Sequence, residues 1–476
     1  MNTKLFFTCI LAIFCTCLKS NDVGKLSEYD KEISLYTNRS TFLYGSKATR
    51  IVGELKRQAG DNFEWKGNSE MGWALSVPKA EKYDLYLIVD IPLESKNTEM
   101  LLYSGTNSFK FTINPTSGPW NGGGKYFQRI KVLSGVLLPK GNQEFGLKSS
   151  GLVTGKTLLN LRAVELVPVS AYKSIEKENK KAVASRASTE WLTKCGYGLM
   201  FHWTSQNVNP DGSNKPYEQA VNDFDVRKFA DMVEETGAGY VIFTIGHAQQ
   251  YCPAPIKSWE KCFPGKTTQR DLIEEMANTL NAKGIRLICY MNSYGTAKFG
   301  KVDNLEFYKT FTDILKEFGE RYKEKVAGYW FDCWYQIFEG FPDVPFEDFF
   351  KVCKTGNKDR IICLNSWIYP SVSPWQEYWA GEVASPVTLP VNGHMVDGPV
   401  NDLRYQALLI MEPYWVQQRP THPDPRFTAS ELSQYIRDCM ANGGAVTINM
   451  GIFQNGTVGE KALDVMKQVR KNVKGN

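Results

Sequence analysis

Residues 225–245 read Asp225-Val226-Arg227-Lys228-Phe229-Ala230-Asp231-Met232-Val233-Glu234-Glu235-Thr236-Gly237-Ala238-Gly239-Tyr240-Val241-Ile242-Phe243-Thr244-Ile245. The first half has helical spacing, with Phe229, Met232 and Val233 on one face. The second half, Tyr240–Ile245, is a short apolar run of the kind buried on both faces of a parallel sheet. The couplet repeats in both directions. Upstream lies the apolar run Gly198–Trp203. Downstream, helical spacing recurs over 270–283, 307–323, 346–354, 431–441 and 461–473. Strand candidates at 286–291, 328–334, 361–364, 377–383, 408–415 and 445–450 alternate with it. Such alternation implies parallel pairing through crossover helices. Eight strands in about 285 residues match the size of a (β/α)8, TIM-like barrel over 191–476. The helices on either side of the sixth strand are weakly marked. A doubly wound open sheet is the alternative, but no glycine-rich dinucleotide turn follows the first strand.

The region before the barrel has a different rhythm. Tyr83–Asp90, Phe109–Ile113, Tyr126–Leu133 and Leu161–Val167 are β-rich runs separated by turn clusters such as Lys140-Gly141-Asn142. They predict an antiparallel β-sandwich over 21–170, followed by a charged helical connector at 171–190. Trp65, Trp73 and Trp120 could either stack on sugar, as in a carbohydrate-binding module, or fill the sandwich core.

Residues 1–20 are a separate object. Lys4 precedes an apolar run from Leu5 to Leu18, which reads as a signal peptide and predicts export to the periplasm or the extracellular space. The run is too short for a membrane span. Cys17 admits a lipid anchor as the lesser option, although Phe14-Cys15-Thr16 is a poor lipobox. Three of the eleven cysteines leave with this segment. Of the rest, Cys252 and Cys262 bracket a loop where a local disulfide is plausible, while Cys289, Cys333 and Cys363 read as small buried hydrophobes. With 56 basic and 51 acidic residues, the charge is too balanced for a nucleic-acid binder.

A barrel carries its active site at the C-terminal ends of its strands. The polar and aromatic residues there are His202 and Trp203, His247, Tyr290 and Asn292, then Asp332 and Trp334. Asn365 and Trp367, Glu377, Trp379 and Glu382, Glu412 and Trp415, and Asn449 complete the set. Asp332 stands out because it closes the aromatic run Gly328-Tyr329-Trp330-Phe331, where a bare charge would be expensive to bury. Single carboxylates accompanied by indoles suit a sugar, whose apolar faces stack on Trp, and glycosidic cleavage needs two flanking carboxylates. Glu382, Glu412 and Glu377 compete for the second place. No HxH or HExxH pattern supports a metal, and no G-x-S-x-G elbow supports a serine hydrolase.

At these residues the chain resembles the α-L-fucosidases of glycoside hydrolase family 29. Gly198-Leu199-Met200-Phe201-His202-Trp203-Thr204 is similar to that family's first strand, and Thr236–Tyr251 to its second strand and loop. Arg270-Asp271-Leu272, Gly284–Asn292 and Trp330-Phe331-Asp332-Cys333 follow in the family's order, and Asn442–Gly451 resembles its late segment. The resemblance implies a retaining, exo-acting hydrolase that needs no cofactor. Asp332 would be the nucleophile and Glu382 the acid/base, with Glu412 second. His202, Trp203, His247, Tyr290, Trp330, Trp334 and Trp379 would bind a glycan substrate. Gly246 and Ala248 stand where the family carries Lys and a second His, and Thr204 replaces a Gly. The family's C-terminal sandwich is absent. A different glycoside, or sugar binding with weak catalysis, are the alternative readings.

Overall fold

The computed structural model describes residues 32–116, 127–149, 155–292, 304–384, 386 and 403–475. Segment 1–20 and Trp120 lie outside them. The chain forms two compact units, whose main boundary falls between Lys181 and Ala182.

The first unit contains β1 (Glu32–Ser34), β2 (Thr41–Tyr44), β3 (Arg50–Arg57), β4 (Phe63–Val77) and β5 (Glu81–Asp90). It continues with β6 (Thr98–Ser104), β7 (Asn107–Ile113), β8 (Gln128–Leu138), β9 (Gly141–Ser149) and β10 (Thr157–Pro168). These form one sheet with the path β7-β6-β9-β4-β10-β5-β8. Strand β4 makes the bend. Phe63–Lys66 pairs with β10, whereas Glu70–Val77 pairs with β9. Gly67, in a left-handed conformation at φ 54°, sits at the change of partner. The ends of the path, β7 and β8, lie beside each other, so the sheet curls over a single core. The two layers expected of a sandwich are therefore parts of one sheet. Trp65 and Trp73 are both 0% exposed inside that core, and neither offers a stacking face. Their indole N–H groups donate to Ser149 Oγ at 3.3 Å and the Tyr44 carbonyl at 2.9 Å.

The predicted connector is helical, as α1 (Tyr172–Ser185) and α2 (Glu190–Lys194). The second unit then runs β11 (Tyr197–Phe201), α3 (Tyr217–Asp223), α4 (Val226–Thr236), β12 (Tyr240–Gly246), α5 (Lys257–Cys262), α6 (Leu272–Ala282) and β13 (Arg286–Asn292). It continues with α7 (Asn304–Tyr322), β14 (Val326–Asp332), α8 (Trp334–Gly340), α9 (Phe346–Cys353), β15 (Ile361–Leu364) and β16 (Tyr378–Ala384). It ends with β17 (Arg404–Ile410), α10 (Ala429–Ala441), β18 (Ala445–Asn449) and α11 (Glu460–Lys474). The opening couplet is α4 and β12, with the Asp225 carboxylate capping α4 and Gly237 ending it at φ 75°.

The eight strands are parallel in the order β15-β14-β13-β12-β11-β18-β17-β16, a nearly closed barrel. The seam between β15 and β16 has no strand ladder. One backbone bond, from Glu377 N to the Ile362 carbonyl at 2.9 Å, and side chains close it: Glu377 Oε2 accepts from Ile362 N at 2.8 Å, and Gln376 Oε1 from Leu364 N at 3.1 Å. Lys354 and Ala187 N donate to the other Glu377 oxygen. Among the described residues no helix separates β15 from β16, in keeping with the weak sequence signal there.

Side chains alternate between two layers. Met200, Ile242, Tyr290, Trp330, Cys363, Ala380 and Leu408 pack together inside the barrel. Phe201, Phe243, Cys289, Phe331, Leu364, Trp379 and Leu409 face the surrounding helices.

Two strand limits differ from expectation. Strand β14 stops at Asp332, and Trp334 opens α8. Strand β17 begins at Arg404 rather than Leu408, because the inward Arg404 and Gln406 hide its start in the hydropathy pattern. Gln406 is held in the barrel by Tyr240 Oη at 3.3 Å. The Cys252–Cys262 disulfide is not formed: Cys252 is a buried free thiol and Cys262 is also free. Cys289 and Cys363 are buried as expected, whereas Cys333 is half-buried in a turn at φ 55°. No helix among the described residues is long and apolar enough to cross a membrane.

Candidate active site

The inward series of β14 is Gly328, Trp330 and Asp332, which delivers the Asp332 carboxylate to the barrel mouth. The backbone turns sharply at Cys333, and its N–H folds back to donate to Asp332 Oδ1 at 2.7 Å. Asn365 Nδ2 donates to the same oxygen at 2.9 Å. Tyr290, from the neighbouring β13, donates its hydroxyl to Oδ2 at 2.5 Å. Asp332 therefore accepts three hydrogen bonds at the end of an apolar strand, which answers how a carboxylate survives there.

Glu382 lies on the inward series of β16 after Tyr378 and Ala380. Its Oε1 accepts from the same Asn365 Nδ2. One amide nitrogen thus bridges both carboxylates, which keeps the two bridged oxygens, Asp332 Oδ1 and Glu382 Oε1, no more than about two hydrogen-bond lengths apart, roughly 5–6 Å. Burial, reinforced by the Asp332 charge, pushes the Glu382 carboxyl up to about 8, against the Asn365 bond that favours its ionised form.

Two imidazoles and a phenol stand beside the pair. His202 Nδ1 pairs with the Asn449 side-chain amide at 2.7 Å, which fixes the plane of the ring. Burial and the neighbouring His247 lower the His202 pKa to about 4, so the ring is neutral. His247 is also lowered by burial, partly offset by Asp332. The rings of His247 and Tyr290 are stacked at 5.9 Å, those of Tyr290 and Trp330 at 5.1 Å, and His202 meets Tyr290 edge-on at 4.9 Å. Trp415 completes the wall, 5.2 Å from His202.

Among the residues expected at the site, Asp332, Glu382, His202, His247, Tyr290 and Trp330 come together. Trp203, Trp334 and Trp379 do not. Each lies on the outward series or in a helix. Trp203 packs on Tyr217, Phe224 and Phe243, and Trp334 on Phe311, Phe331 and Phe349. Trp379 stacks on Tyr405 and donates to the Tyr369 carbonyl. Glu377 closes the barrel seam. Glu412, fully buried, accepts from Gly451 N at 2.9 Å and faces His422 Nδ1 at 3.6 Å, with no contact to the Asp332–Glu382 pair. Asn365, Asn449 and Trp415 stood among the strand-end residues without a role. The signal that would have raised Asn365 is parity, since Ile361, Cys363 and Asn365 share the inward face.

Two carboxyl groups bridged by one amide at the mouth of a parallel barrel are the arrangement that glycosidic cleavage calls for. The family model described as Alpha-L-fucosidase matches residues 214–476. The match covers more than half of the chain, which belongs to the α-L-fucosidase family. Solved structures similar to it include the glycoside hydrolase family 29 α-L-fucosidase of Bacteroides thetaiotaomicron (18% identity, 60% of this chain, 73% of that one, TM-score 0.46). α-L-Fucosidase isoenzyme 1 of Paenibacillus thiaminolyticus is 17% identical over 61% of this chain and 75% of that one, with TM-score 0.47. A Thermotoga maritima α-L-fucosynthase is 15% identical over 61% and 74%, with TM-score 0.44. No curated protein sequence gives a significant match.

Proposed function

We propose that the chain is an exo-acting, retaining α-L-fucosidase on a (β/α)8 barrel, with Asp332 as nucleophile and Glu382 as acid/base. The observation that carries this reading is the Asn365 bridge. One nitrogen shared by an oxygen of each carboxyl group supports the close spacing of a retaining pair, ~5–5.5 Å, over the ~6.5–9.5 Å of an inverting one.

The hydrogen bonds also favour one attacking atom. Asp332 Oδ1 already accepts two, from Cys333 N and Asn365 Nδ2, which occupies both its lone pairs. Oδ2 accepts only the Tyr290 hydroxyl and keeps one pair free. In the first step Oδ2 bonds to the anomeric carbon as the glycosidic C–O bond breaks, and Glu382 gives its proton to the departing oxygen. In the second, Glu382, now ionised, takes a proton from water as that water attacks the anomeric carbon and releases Oδ2. Neutral His202, through Nε2, and His247 position sugar hydroxyls, and Trp415 offers an apolar wall.

The test is stereochemical and mutational. On an aryl α-L-fucoside the first sugar released should be the α anomer. Asp332→Ala should lose activity and, with azide, form the β-azide; Glu382→Ala should keep activity on substrates with good leaving groups and form the α-azide. First release of the β anomer, or an active Asp332→Ala, refutes the reading.

One observation keeps a second glycoside in view. A Cβ on Gly246 would lie 2.4 Å from the Trp259 ring, so Trp259 fills the space where the family carries Lys. A panel of aryl glycosides, run beside the fucoside, separates the two readings by relative kcat/KM.

A further inference from the structure

Asn365 has a geometry that its place at a short strand does not require. The residue is 0% exposed, and both its backbone and its side chain are fixed. Its N–H donates to the Phe331 carbonyl at 2.8 Å, and its own carbonyl accepts from Trp334 N at 2.9 Å. Its Oδ1 accepts from Trp367 N at 3.0 Å, where Trp367 is held in a left-handed turn at φ 59°. A backbone N–H can only donate, so this contact settles which end of the amide is oxygen. The two hydrogens of Nδ2 then point into the site. One meets Asp332 Oδ1 and the other Glu382 Oε1. Both Nδ2 hydrogens and Oδ1 have partners, and no other amide among the described residues donates to both carboxylates.

We propose that Asn365 is a positioning residue for the reaction, a fixed two-proton spacer that sets the separation of Asp332 and Glu382 and holds both carboxyl groups in orientation. The inference rests on the assignment of Asp332 and Glu382 made above. An amide is suited to this in a way that a cationic side chain is not. It donates to both carboxyls without adding a charge, so it favours loss of the Glu382 proton less than a cation would. It also serves both halves of the reaction. When Glu382 ionises, the Asn365 bond stabilises the new carboxylate. When Asp332 is esterified through Oδ2, the bond to Oδ1 holds the carboxyl plane in line for the second displacement. No atom of Asn365 is consumed, and no proton leaves it.

The direction of its influence gives a readout that a merely structural residue would not move. The Asn365 bond favours the ionised form of Glu382. Removing the donor must therefore raise the pH at which activity falls on the alkaline side. The experiment measures kcat, KM and the pH profile of Asn365→Ala and of the isosteric Asn365→Asp on an aryl α-L-fucoside. Wild type, Asp332→Ala and Glu382→Gln run in parallel. We expect kcat to fall about 10²-fold with KM changed little, as when a single preorganised donor is removed. The alkaline limb should move up in Asn365→Ala, and further in Asn365→Asp, which puts a third carboxylate beside the pair. Should Asn365→Ala fail to fold, the isostere is read by the same criteria. A limb that stays at the wild-type pH, or a loss below about threefold, overturns the proposal. Wild-type-like Asp332→Ala or Glu382→Gln enzyme would instead refute the assignment of the carboxylates, an outcome distinct from Asn365 variants that behave as wild type while those two are dead.

Discussion

The protonation of Glu382 can be taken apart by removing one charge. Its carboxyl stands at about 8 instead of the ordinary 4.5, raised first by burial and second by Asp332. The bridging amide puts Asp332 roughly 5 Å away. At an effective dielectric of about 20, a unit charge at that distance is worth about 3 kcal/mol, near two pKa units. Solvent at the mouth screens part of this, so Asp332→Asn should lower the Glu382 pKa by about one to two units. Because burial is the larger cause, the carboxyl should remain well above its ordinary value. The assay is a 13C NMR titration of glutamate-labelled protein, with the Glu382 signal assigned by its loss in Glu382→Gln. Thermal unfolding of Asp332→Asn checks that the fold persists. A Glu382 pKa unchanged by the substitution would mean that the two carboxyls do not share a site. A fall all the way to 4.5 would mean that burial is not the main cause. A wild-type value near 4.5 would remove Glu382 as the acid altogether.

The same shift has a consequence for stability. A carboxyl raised in the folded state holds its proton more tightly there than in the unfolded chain, so its stabilising effect is complete below pH 4.5 and is lost as the pH rises to about 8. Glu382→Gln does not titrate, so its Tm advantage over wild type should grow between pH 5 and 8 and then level off; a constant gap by calorimetry would contradict this. Tyr290→Phe removes the one donor to Asp332 Oδ2 among the described residues, and kcat/KM should fall about 10²-fold with little change in Tm. Unchanged kinetics would mean that the Tyr290 bond does not orient the nucleophile. Trp334→Ala should destabilise by about 3–5 kcal/mol in urea titration while the folded fraction keeps its KM, since the ring fills a core of Phe311, Phe331 and Phe349. Trp415→Ala should do the reverse, raising KM with a small change in Tm, because its ring lies against His202.

Much of this molecule was legible in the chain. The strand at 240–245 and the helix before it are where residues 225–245 put them, and all eight barrel strands fall at or near the expected positions. The reason is physical. Strands buried on both faces read as continuous apolar runs, and amphipathic helices as a 3.6-residue period. Legibility failed where polar residues enter the barrel, as at Arg404 and Gln406, and where the seam is closed by Glu377 and Gln376 in place of a ladder. It failed in the first unit for a different reason. Strand β4 serves two partners across Gly67, and a single strand that changes neighbours leaves no signature in a hydropathy pattern.

The errors at the site share one cause, and it is the alternation of strand side chains. Adjacent residues on a strand point in opposite directions. If Asp332 faces the barrel interior, then Phe331 cannot; just past the end of β11, His202 turns toward Tyr290 and Trp203 packs on Phe243. Trp379 and Glu382 are three apart, an odd number, so one must face outward, and the structure puts the indole against Tyr405 and the carboxyl against Asn365. Trp334 lies beyond the strand end, where parity no longer applies, and it enters a helix. Strand-end position selects too many residues; parity removes the outward ones and retains Asp332, Asn365 and Glu382. The aromatic excess of the chain, with nine of twelve tryptophans after residue 190, is thus mostly core. The indoles near Asp332 in sequence were a guide to the right strands, yet the rings that reach its chemistry are Tyr290 directly, and Trp330 and Trp415 through their contacts with Tyr290 and His202.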